Sequence, residues 1–159
     1  MYICNDFKSE PQRISETIMK MYTRAELRKE LVNAGIRPSV QRLAIYEYVR
    51  NNRTHPTAEN VYESLRDELG SLSLTTVYNT LKLYAEAGLV MTLHIDDGFL
   101  RFDGNTMVHA HFRCDNCGQI YDLPVKDDYH AWLEGTEELF VTDAQLYLRG
   151  LCRKCRMEN

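Results

Sequence analysis

Two cysteine pairs are the residues of this sequence whose type and spacing point most directly to chemistry. Cys114 and Cys117 form one C-x-x-C unit, and Cys152 and Cys155 form a second unit well downstream. Four thiolates complete a tetrahedral Zn²⁺ shell and leave no open position, which is the pattern of a structural zinc site. Reduced cysteines without metal, or a redox pair, are the alternatives. We predict that the four cysteines bind one structural zinc ion.

A second group of possible metal ligands consists of histidines and aspartates. His109 and His111 alternate along a predicted strand, so their side chains point to one face, and Asp122 follows on the next strand. Asp103 and His55 come earlier in the chain. Three imidazoles and two carboxylates favour Fe²⁺, Mn²⁺ or Zn²⁺ over Ca²⁺ or Mg²⁺. A chance H-x-H strand with an ordinary loop histidine is the alternative, and spacing alone leaves both open.

Four helical segments precede most of these residues. Their predicted N-caps are Thr23, Ser39, Thr57 and Ser73. Glu26 completes a capping box with Thr23, and glycines at 35, 70 and 88 are predicted to end the first, third and fourth helices. One face of the second helix is predicted to be buried, through Val40, Leu43, Ala44, Tyr46 and Val49.

The hydrophobic period changes from helical to strand-like after the fourth helix. Segments 89–95 and 99–103 flank an Asp-Gly turn, which predicts a β-hairpin. Short helices followed by a hairpin are typical of a winged helix-turn-helix. Three further strands, with a helix of about residues 127–140 between the second and third, predict a small α/β domain. The predicted fold class is α+β, with an N-terminal extension at 1–22, a winged-helix domain at 23–103 and a metal-binding α/β domain at 104–159.

The fourth helix presents polar side chains that could contact DNA. They are Thr75, Thr76, Tyr78, Asn79 and Lys82. Hydroxyl groups reach phosphates, a tyrosine ring can contact a thymine methyl group, and asparagine can pair with adenine. Four arginines could reach backbone phosphates, namely Arg37, Arg42, Arg50 and Arg53. A solvated face of a helical bundle is the alternative, and the predicted wing favours DNA binding.

Composition limits the remaining possibilities. The chain has 159 residues and a net charge of -4. Basic and acidic residues balance over 1–96, so residues 97–159 carry the whole negative charge, which suggests two modules with different partners. No apolar run is long enough for a membrane span, and no secretory signal is evident. We therefore expect a cytoplasmic protein whose cysteines stay reduced.

The order of these segments resembles the ferric uptake regulator family. The matching segments are "RPSVQRLAIYEYV", "HPTAENVY", "SLTTVYNTLKLYAEAGLV", "RFD", "HAHFRCDNCGQIYDL" and "GLCRKC". They cover nearly the whole chain, from about residue 25 to 155. The resemblance implies a homodimeric, metal-dependent bacterial transcription regulator, usually a repressor. Its winged helix would bind an AT-rich palindrome, and its α/β domain would form the dimer through its sheet.

The resemblance also implies roles for the candidate site residues. A regulatory Fe²⁺ or Mn²⁺ would lie between the domains, bound by His55, Asp103, His109, His111 and Asp122. The four-cysteine zinc would be structural, Tyr78 would read DNA, and Arg37 would lie near the minor groove. Asn79 stands where the family usually has arginine. The N-terminal extension at 1–22, which contains Cys4, lies outside the family pattern.

Asp122 points to one branch of this family. The peroxide-sensing branch carries aspartate at this position, whereas the iron-sensing branch usually carries glutamate. In the peroxide-sensing branch, peroxide would oxidise His55 or His109 of the iron-loaded protein and release DNA, while the manganese-loaded protein would resist. An iron-responsive repressor is the alternative within the family.

Two other classes of protein compete with a regulator. A non-haem metal enzyme is one, because histidine–carboxylate sites also hold catalytic iron or zinc. Five protein ligands would leave little room for substrate, and no nucleophile or acid–base pair stands out, so we predict that the chain is not an enzyme. A purely structural zinc protein is the other.

Overall fold

The computed structural model describes residues 21–125 and 138–157. The helices are α1 (Arg24–Asn33), α2 (Val40–Asn51), α3 (Ala58–Leu65), α4 (Leu74–Glu86) and α5 (Arg153–Met157). The strands are β1 (Met91–Asp96), β2 (Phe99–Asp103), β3 (His109–Cys114), β4 (Ile120–Pro124) and β5 (Leu146–Gly150). The helix predicted over about 127–140 lies almost wholly outside the described residues, as does Cys4.

The predicted helix starts are confirmed. Thr23, Ser39, Thr57 and Ser73 are the N-caps of α1 to α4, and each side chain accepts a hydrogen bond from a backbone N–H of the first turn. The predicted end of the third helix is wrong, since α3 ends at Leu65. Hydrogen-bonded turns follow, in which Leu69 N–H donates to Leu65 O and Leu72 N–H donates to Leu69 O. These turns bring Leu72 back into the core.

The main hydrophobic core lies among α1 to α4 and the open end of the hairpin, where β1 begins and β2 ends. Its largest fully buried members include Leu27, Leu31, Ile45, Tyr46, Tyr84 and Phe102. Tyr46 and Val49 lie on the buried face of α2, as predicted, but Val40 is 76% exposed. Val40 is the first residue of α2, beyond the part of the helix that packs against the core.

The strands form two sheets that contact each other. β1 and β2 form the antiparallel hairpin, and Gly98 in its turn has φ +86°. The second sheet has the order β4-β3-β5, with β3 antiparallel to β4 and parallel to β5. Leu93 and Ile95 of the hairpin pack with Ile120 of β4 and Tyr147 of β5. Among the described residues, no helix has the length and hydropathy needed to cross a membrane.

Gly104 follows the hairpin directly and touches the backbone of α2. A Cβ atom at this position would lie 2.6 Å from the carbonyl oxygen of Val49 and 2.8 Å from Cα of Arg50. Arg50 Nη1 donates a hydrogen bond to Gly104 O, its guanidinium lies 4.0 Å from the centre of the Tyr22 ring, and it pairs with Glu30 at 3.5 Å. Arg50 therefore holds this connection in place, and the prediction that it reaches a DNA phosphate is wrong.

Replacing Gly104 by alanine is expected to lower the free energy of unfolding by about 1–3 kcal/mol, because the added methyl group meets rigid backbone atoms. Gly70→Ala is the matched control, since a Cβ there meets no atom within 4 Å. Chemical denaturation of both variants tests this expectation. Equal stability of the two variants would show that the connection shifts at no cost.

Candidate metal centres

The four predicted cysteines lie together at one end of the three-stranded sheet. Cys114 is the last residue of β3, and Cys152 and Cys155 follow β5. Cys117 lies in a tight turn that Gly118 completes, with φ +70° and a 2.9 Å hydrogen bond from its N–H to Cys114 O. The four sulfur atoms lie within 4.8 Å of one another, and none is in a disulfide. This arrangement suits tetrahedral zinc.

The surroundings of Cys114 and Cys152 lower the pKa of their thiols and favour thiolates. A hydrogen bond with Asn116 would lower the pKa of Cys155, but burial and the neighbouring cysteines raise it. Backbone N–H groups of Cys117 and Cys152 donate to Cys114 and lower the pKa of its thiol to about 6, although burial opposes this shift. The distance from Cys152 N to Cys114 Sγ is 3.3 Å. Cys114, Cys152 and Cys155 are buried, whereas Cys117 is exposed. Thiolate is the form that binds metal.

The predicted histidines and aspartates form a second cluster. His55 immediately precedes α3, Asp103 ends β2, His109 and His111 lie on β3, and Asp122 lies on β4. His111 pairs with Asp122 in the register of these two strands. One potential ligand atom from each of the five residues lies within 4.8 Å of the others. The cluster therefore joins the helical part of the chain to the three-stranded sheet.

The ring nitrogens and carboxylate oxygens of this cluster face a common centre. Asp103 Oδ2 lies 2.9 Å from His109 Nε2 and 3.3 Å from His111 Nε2. Asp122 Oδ1 lies 2.7 Å from His55 Nε2. The Nε2 atoms of His109 and His111 are only 2.9 Å apart. Such convergence of electron-pair donors is typical of a cation site.

Unpartnered atoms test whether a cation fits this centre. His55 Nδ1 and Nε2 and Asp122 Oδ1 are buried and have no hydrogen-bond partner among the described residues. His55 Nε2 and Asp122 Oδ1 are close together but lack the alignment of a hydrogen bond. Buried polar atoms without partners are costly, and a bound cation would satisfy them. The donor set, nitrogen with carboxylate oxygen, fits Fe²⁺, Mn²⁺ or Zn²⁺.

The electrostatics keep Asp103 ionised. Burial alone would raise its pKa, but hydrogen bonds from His109 and His111 hold the pKa of this carboxyl well below its usual range. Burial lowers the pKa of His109, but its hydrogen bond to Asp103 outweighs that effect, and the net shift is upward. A cation must therefore displace a proton from His109 at low pH, so metal binding is favoured as pH rises.

His55 adopts a backbone conformation that sequence reasoning missed. Its φ is +50°, which places it in the left-handed region at a cost of about 1–3 kcal/mol for a residue other than glycine. Arg101 Nη1 donates to His55 O at 2.9 Å, and Phe102 N–H donates to Pro56 O at 2.9 Å. Strand β2 thus holds the strained segment. No local sequence signal predicted Arg101 in this role.

The predicted DNA-facing residues lie on one exposed surface. Thr75, Asn79 and Arg37 are exposed, and Tyr78 is 49% exposed. The hydroxyl of Thr76 lies 2.8 Å from that of Ser73 at the start of α4. A groove of about 620 Å³ between the start of α2 and α4 is lined in part by Arg37, Arg42, Thr76 and Asn79. Arg37, Thr75, Tyr78 and Asn79 are accessible to a partner from solvent, whereas Arg42 Nη1 donates a hydrogen bond to Arg37 O at 2.9 Å.

Known proteins resemble this chain over most of its length. Residues 33–147 match the ferric uptake regulator family. The peroxide operon regulator of Bacillus subtilis is 36% identical over 137 residues, which cover 84% of this chain and 94% of that protein. The peroxide-responsive repressor PerR of Staphylococcus epidermidis is 35% identical over 137 residues, or 85% and 89% of the two chains. The crystal structure of the Vibrio cholerae ferric uptake regulator (Fur) covers 79% of this chain and 98% of its own, with 30% identity and a TM-score of 0.63.

Proposed function

Because this chain belongs to the ferric uptake regulator family, we propose that it is a metal-dependent transcriptional repressor that responds to peroxide. Members of this family regulate transcription and are not enzymes, so a non-haem metal enzyme is set aside. The single observation that carries the proposal is the convergence of His55, Asp103, His109, His111 and Asp122 on one centre.

The five converging residues form the regulatory site of this proposal. His55 and Asp103 belong to a winged-helix DNA-binding domain at 23–103, and the other three belong to a dimerisation and metal-binding domain at 104–159. One cation bound by both domains fixes the angle between them. It therefore stabilises the arrangement in which the dimer binds DNA, and metal and DNA must strengthen each other's binding.

The cysteine cluster serves a different purpose in this proposal. A closed four-thiolate site keeps no position open for a substrate or signal, so its zinc is structural. Cys114 belongs to the central strand of the sheet, and Cys152 and Cys155 follow the parallel edge strand. Zinc therefore ties the edge strand to the rest of the sheet and supports the homodimer that this sheet forms.

DNA binding is assigned to the surface around α4. The recognition residues are Tyr78, Asn79, Thr75 and Thr76, with Arg37 near the minor groove. The exposed hydroxyl, amide and aromatic groups offer both phosphate contacts and base contacts. A dimer places two such surfaces on successive major grooves, which matches an AT-rich palindrome. Such a repressor acts in the bacterial cytoplasm.

Peroxide sensing is assigned to the histidines of the regulatory site. Two relatives, 35% and 36% identical over 137 residues, are named for peroxide response. Asp122 supplies the carboxylate that the resemblance links to that branch. Bound Fe²⁺ would supply the redox chemistry with which peroxide adds one oxygen atom to a neighbouring histidine, the other oxygen leaving as water. Oxidation of His55 or His109 removes a ligand that joins the two domains, and the dimer releases DNA. With Mn²⁺ held by the same residues, this oxidation would not take place.

DNA binding with each metal, with and without peroxide, tests the proposal. An AT-rich palindromic duplex should be bound in the presence of either Fe²⁺ or Mn²⁺, and peroxide should release it only from the iron-loaded protein. Mass spectrometry should then find one added oxygen atom in peptides that contain His55 or His109. Release without such a mass change would exclude ligand oxidation.

An iron-responsive repressor is the second candidate, and the likeness to the Vibrio cholerae ferric uptake regulator at 30% identity favours it. It predicts that DNA binding follows Fe²⁺ concentration and that peroxide leaves both binding and histidine mass unchanged. The same experiment therefore separates the two candidates.

A further inference from the structure

A buried carboxylate forms a second connection between the hairpin and the three-stranded sheet. Asp96 is the last residue of β1, and its side chain is 6% exposed. One of its oxygens accepts a hydrogen bond from Nε of Arg101 on β2, and the other accepts one from Nε of Arg113 on β3. Two guanidinium groups from different sheets thus share one carboxylate. We call Asp96, Arg101 and Arg113 the Asp96 junction.

Arg101 links the Asp96 junction to His55. Its Nη1 atom donates to the backbone oxygen of His55 at 2.9 Å, while its Nε atom is bound to Asp96. His55 has φ +50°, and such a backbone persists only where its surroundings hold it. The planar guanidinium has fixed donor directions, so the position of Asp96 determines where the His55 carbonyl is held. The imidazole of His55 follows its backbone.

Arg113 links the same carboxylate to the strand that carries His109 and His111. It lies two residues beyond His111 and immediately before Cys114. Burial would raise the pKa of Asp96, but hydrogen bonds and charge from Arg101 and Arg113 lower it, so the carboxyl is ionised at neutral pH. Hydrogen bonds between ionised groups are roughly twice as strong as those between neutral ones.

We propose that Asp96 is a positioning residue for the regulatory metal site. Through Arg101 it holds His55, and through Arg113 it holds the strand of His109 and His111, so ligands from both domains approach each other before a cation binds. This inference rests on the proposed function. The cation then has to order fewer ligand side chains when it binds, so the affinity for metal is higher than it would be without the Asp96 junction. The Asp96 junction contains none of the five candidate ligands, and its contribution can be removed while all five stay in place.

Mn²⁺ binding to the full-length, zinc-loaded protein tests this role. Asp96→Asn is expected to weaken Mn²⁺ binding about 10–100-fold, as removal of partners behind metal ligands does in other proteins. The measurement is the electron paramagnetic resonance signal of free Mn²⁺ during titration. Asp97→Asn is the matched control, because Asp97 is exposed in the adjacent hairpin turn, and it should bind Mn²⁺ as the wild type does. Zinc content and dimer mass show whether each variant is folded.

A second variant and a second measurement separate positioning from stabilisation. Arg113→Gln leaves Asp96 and Arg101 in place but cuts the connection to β3, and it should weaken Mn²⁺ binding within the same range. Co²⁺ bound at the regulatory site should show a changed visible absorption spectrum in Asp96→Asn, because His55 no longer takes its place among the ligands. A residue that only stabilises the fold would leave that spectrum unchanged.

Three outcomes would overturn the inference. They are wild-type Mn²⁺ affinity in folded Asp96→Asn, an unchanged Co²⁺ spectrum, or an Arg113→Gln variant that binds as the wild type does. A wild-type protein that binds no second metal would instead overturn the proposed function, and this inference with it. In the same titration, the variants therefore show whether this inference fails, and the wild-type protein shows whether the proposed function fails.

Discussion

Replacing Cys117 by serine is expected to abolish zinc binding and to unfold the three-stranded sheet. Zinc bound by peptide thiolates contributes about 10–16 kcal/mol of apparent free energy at pH 7, which is as large as the whole stability of a typical domain. Among residues 21–125 and 138–157, only two small hydrophobic clusters of buried residues lie outside the helical core, and one of them consists of the zinc-site cysteines Cys114, Cys152 and Cys155. Metal analysis, circular dichroism and size-exclusion chromatography measure zinc content, secondary structure and the dimer.

Cys117→His is the matched variant for this prediction. Cys117 is exposed, so an imidazole has room there, and three cysteines with one histidine are an ordinary zinc ligand set. This variant should keep zinc, sheet and dimer, whereas Cys117→Ser should lose all three. If the serine variant stays folded and dimeric without zinc, then the cluster is not the structural element we propose.

Replacing His55 by asparagine is expected to remove the dependence of DNA binding on metal. Asparagine tolerates a positive φ, so the backbone at this position is kept while the imidazole is lost. The proposed regulatory site then lacks one of its two ligands from the DNA-binding domain. When two ligands of one protein are coupled, one typically changes the affinity for the other by about 5–150-fold. In His55→Asn, the increase in DNA affinity on adding Mn²⁺ should disappear entirely.

Fluorescence anisotropy with a labelled AT-rich duplex measures this loss, at a Mn²⁺ concentration that saturates the wild type. His94→Asn provides the control, since His94 is an exposed histidine on β1 outside the cluster. A metal response in His55→Asn as large as that of the wild type would remove His55 from the proposed site.

The cysteine cluster could be predicted from residue type and short spacing. Spacing alone leaves the histidine–aspartate cluster open, and its full ligand set is implied by the resemblance to the family. A strand is enough to place His109 and His111 on one face, and a tight turn is enough to bring the two cysteines of a C-x-x-C unit together. In the part of the chain that the structure describes, the members of each predicted group lie together and no further ligand joins them. Local patterns also predicted the four helix N-caps and the hairpin turn.

Long-range contacts decided what sequence reasoning missed. Arg50 is a residue type that often contacts DNA phosphates. Its guanidinium instead donates a hydrogen bond to Gly104 O and pairs with Glu30, and both partners are distant in sequence. Asp96 and Arg113 belong to different sheets, and no periodicity relates them. The end of α3 was misplaced because burial of Leu72, and not the stop signal at Gly70, determines where the helix gives way to turns.

The parallel pairing of β3 with β5 has a consequence for how the protein is made. Ala110 pairs with Leu146, whereas the two hairpin strands are joined by a two-residue turn and α1 to α4 follow one another through short connections. Closing a long loop costs chain entropy before any contact repays it, so the helical part is expected to fold first and the parallel strand to join last. Because the two cysteine pairs close the same loop, the supply of zinc in the growing cell would set how quickly newly made chains mature.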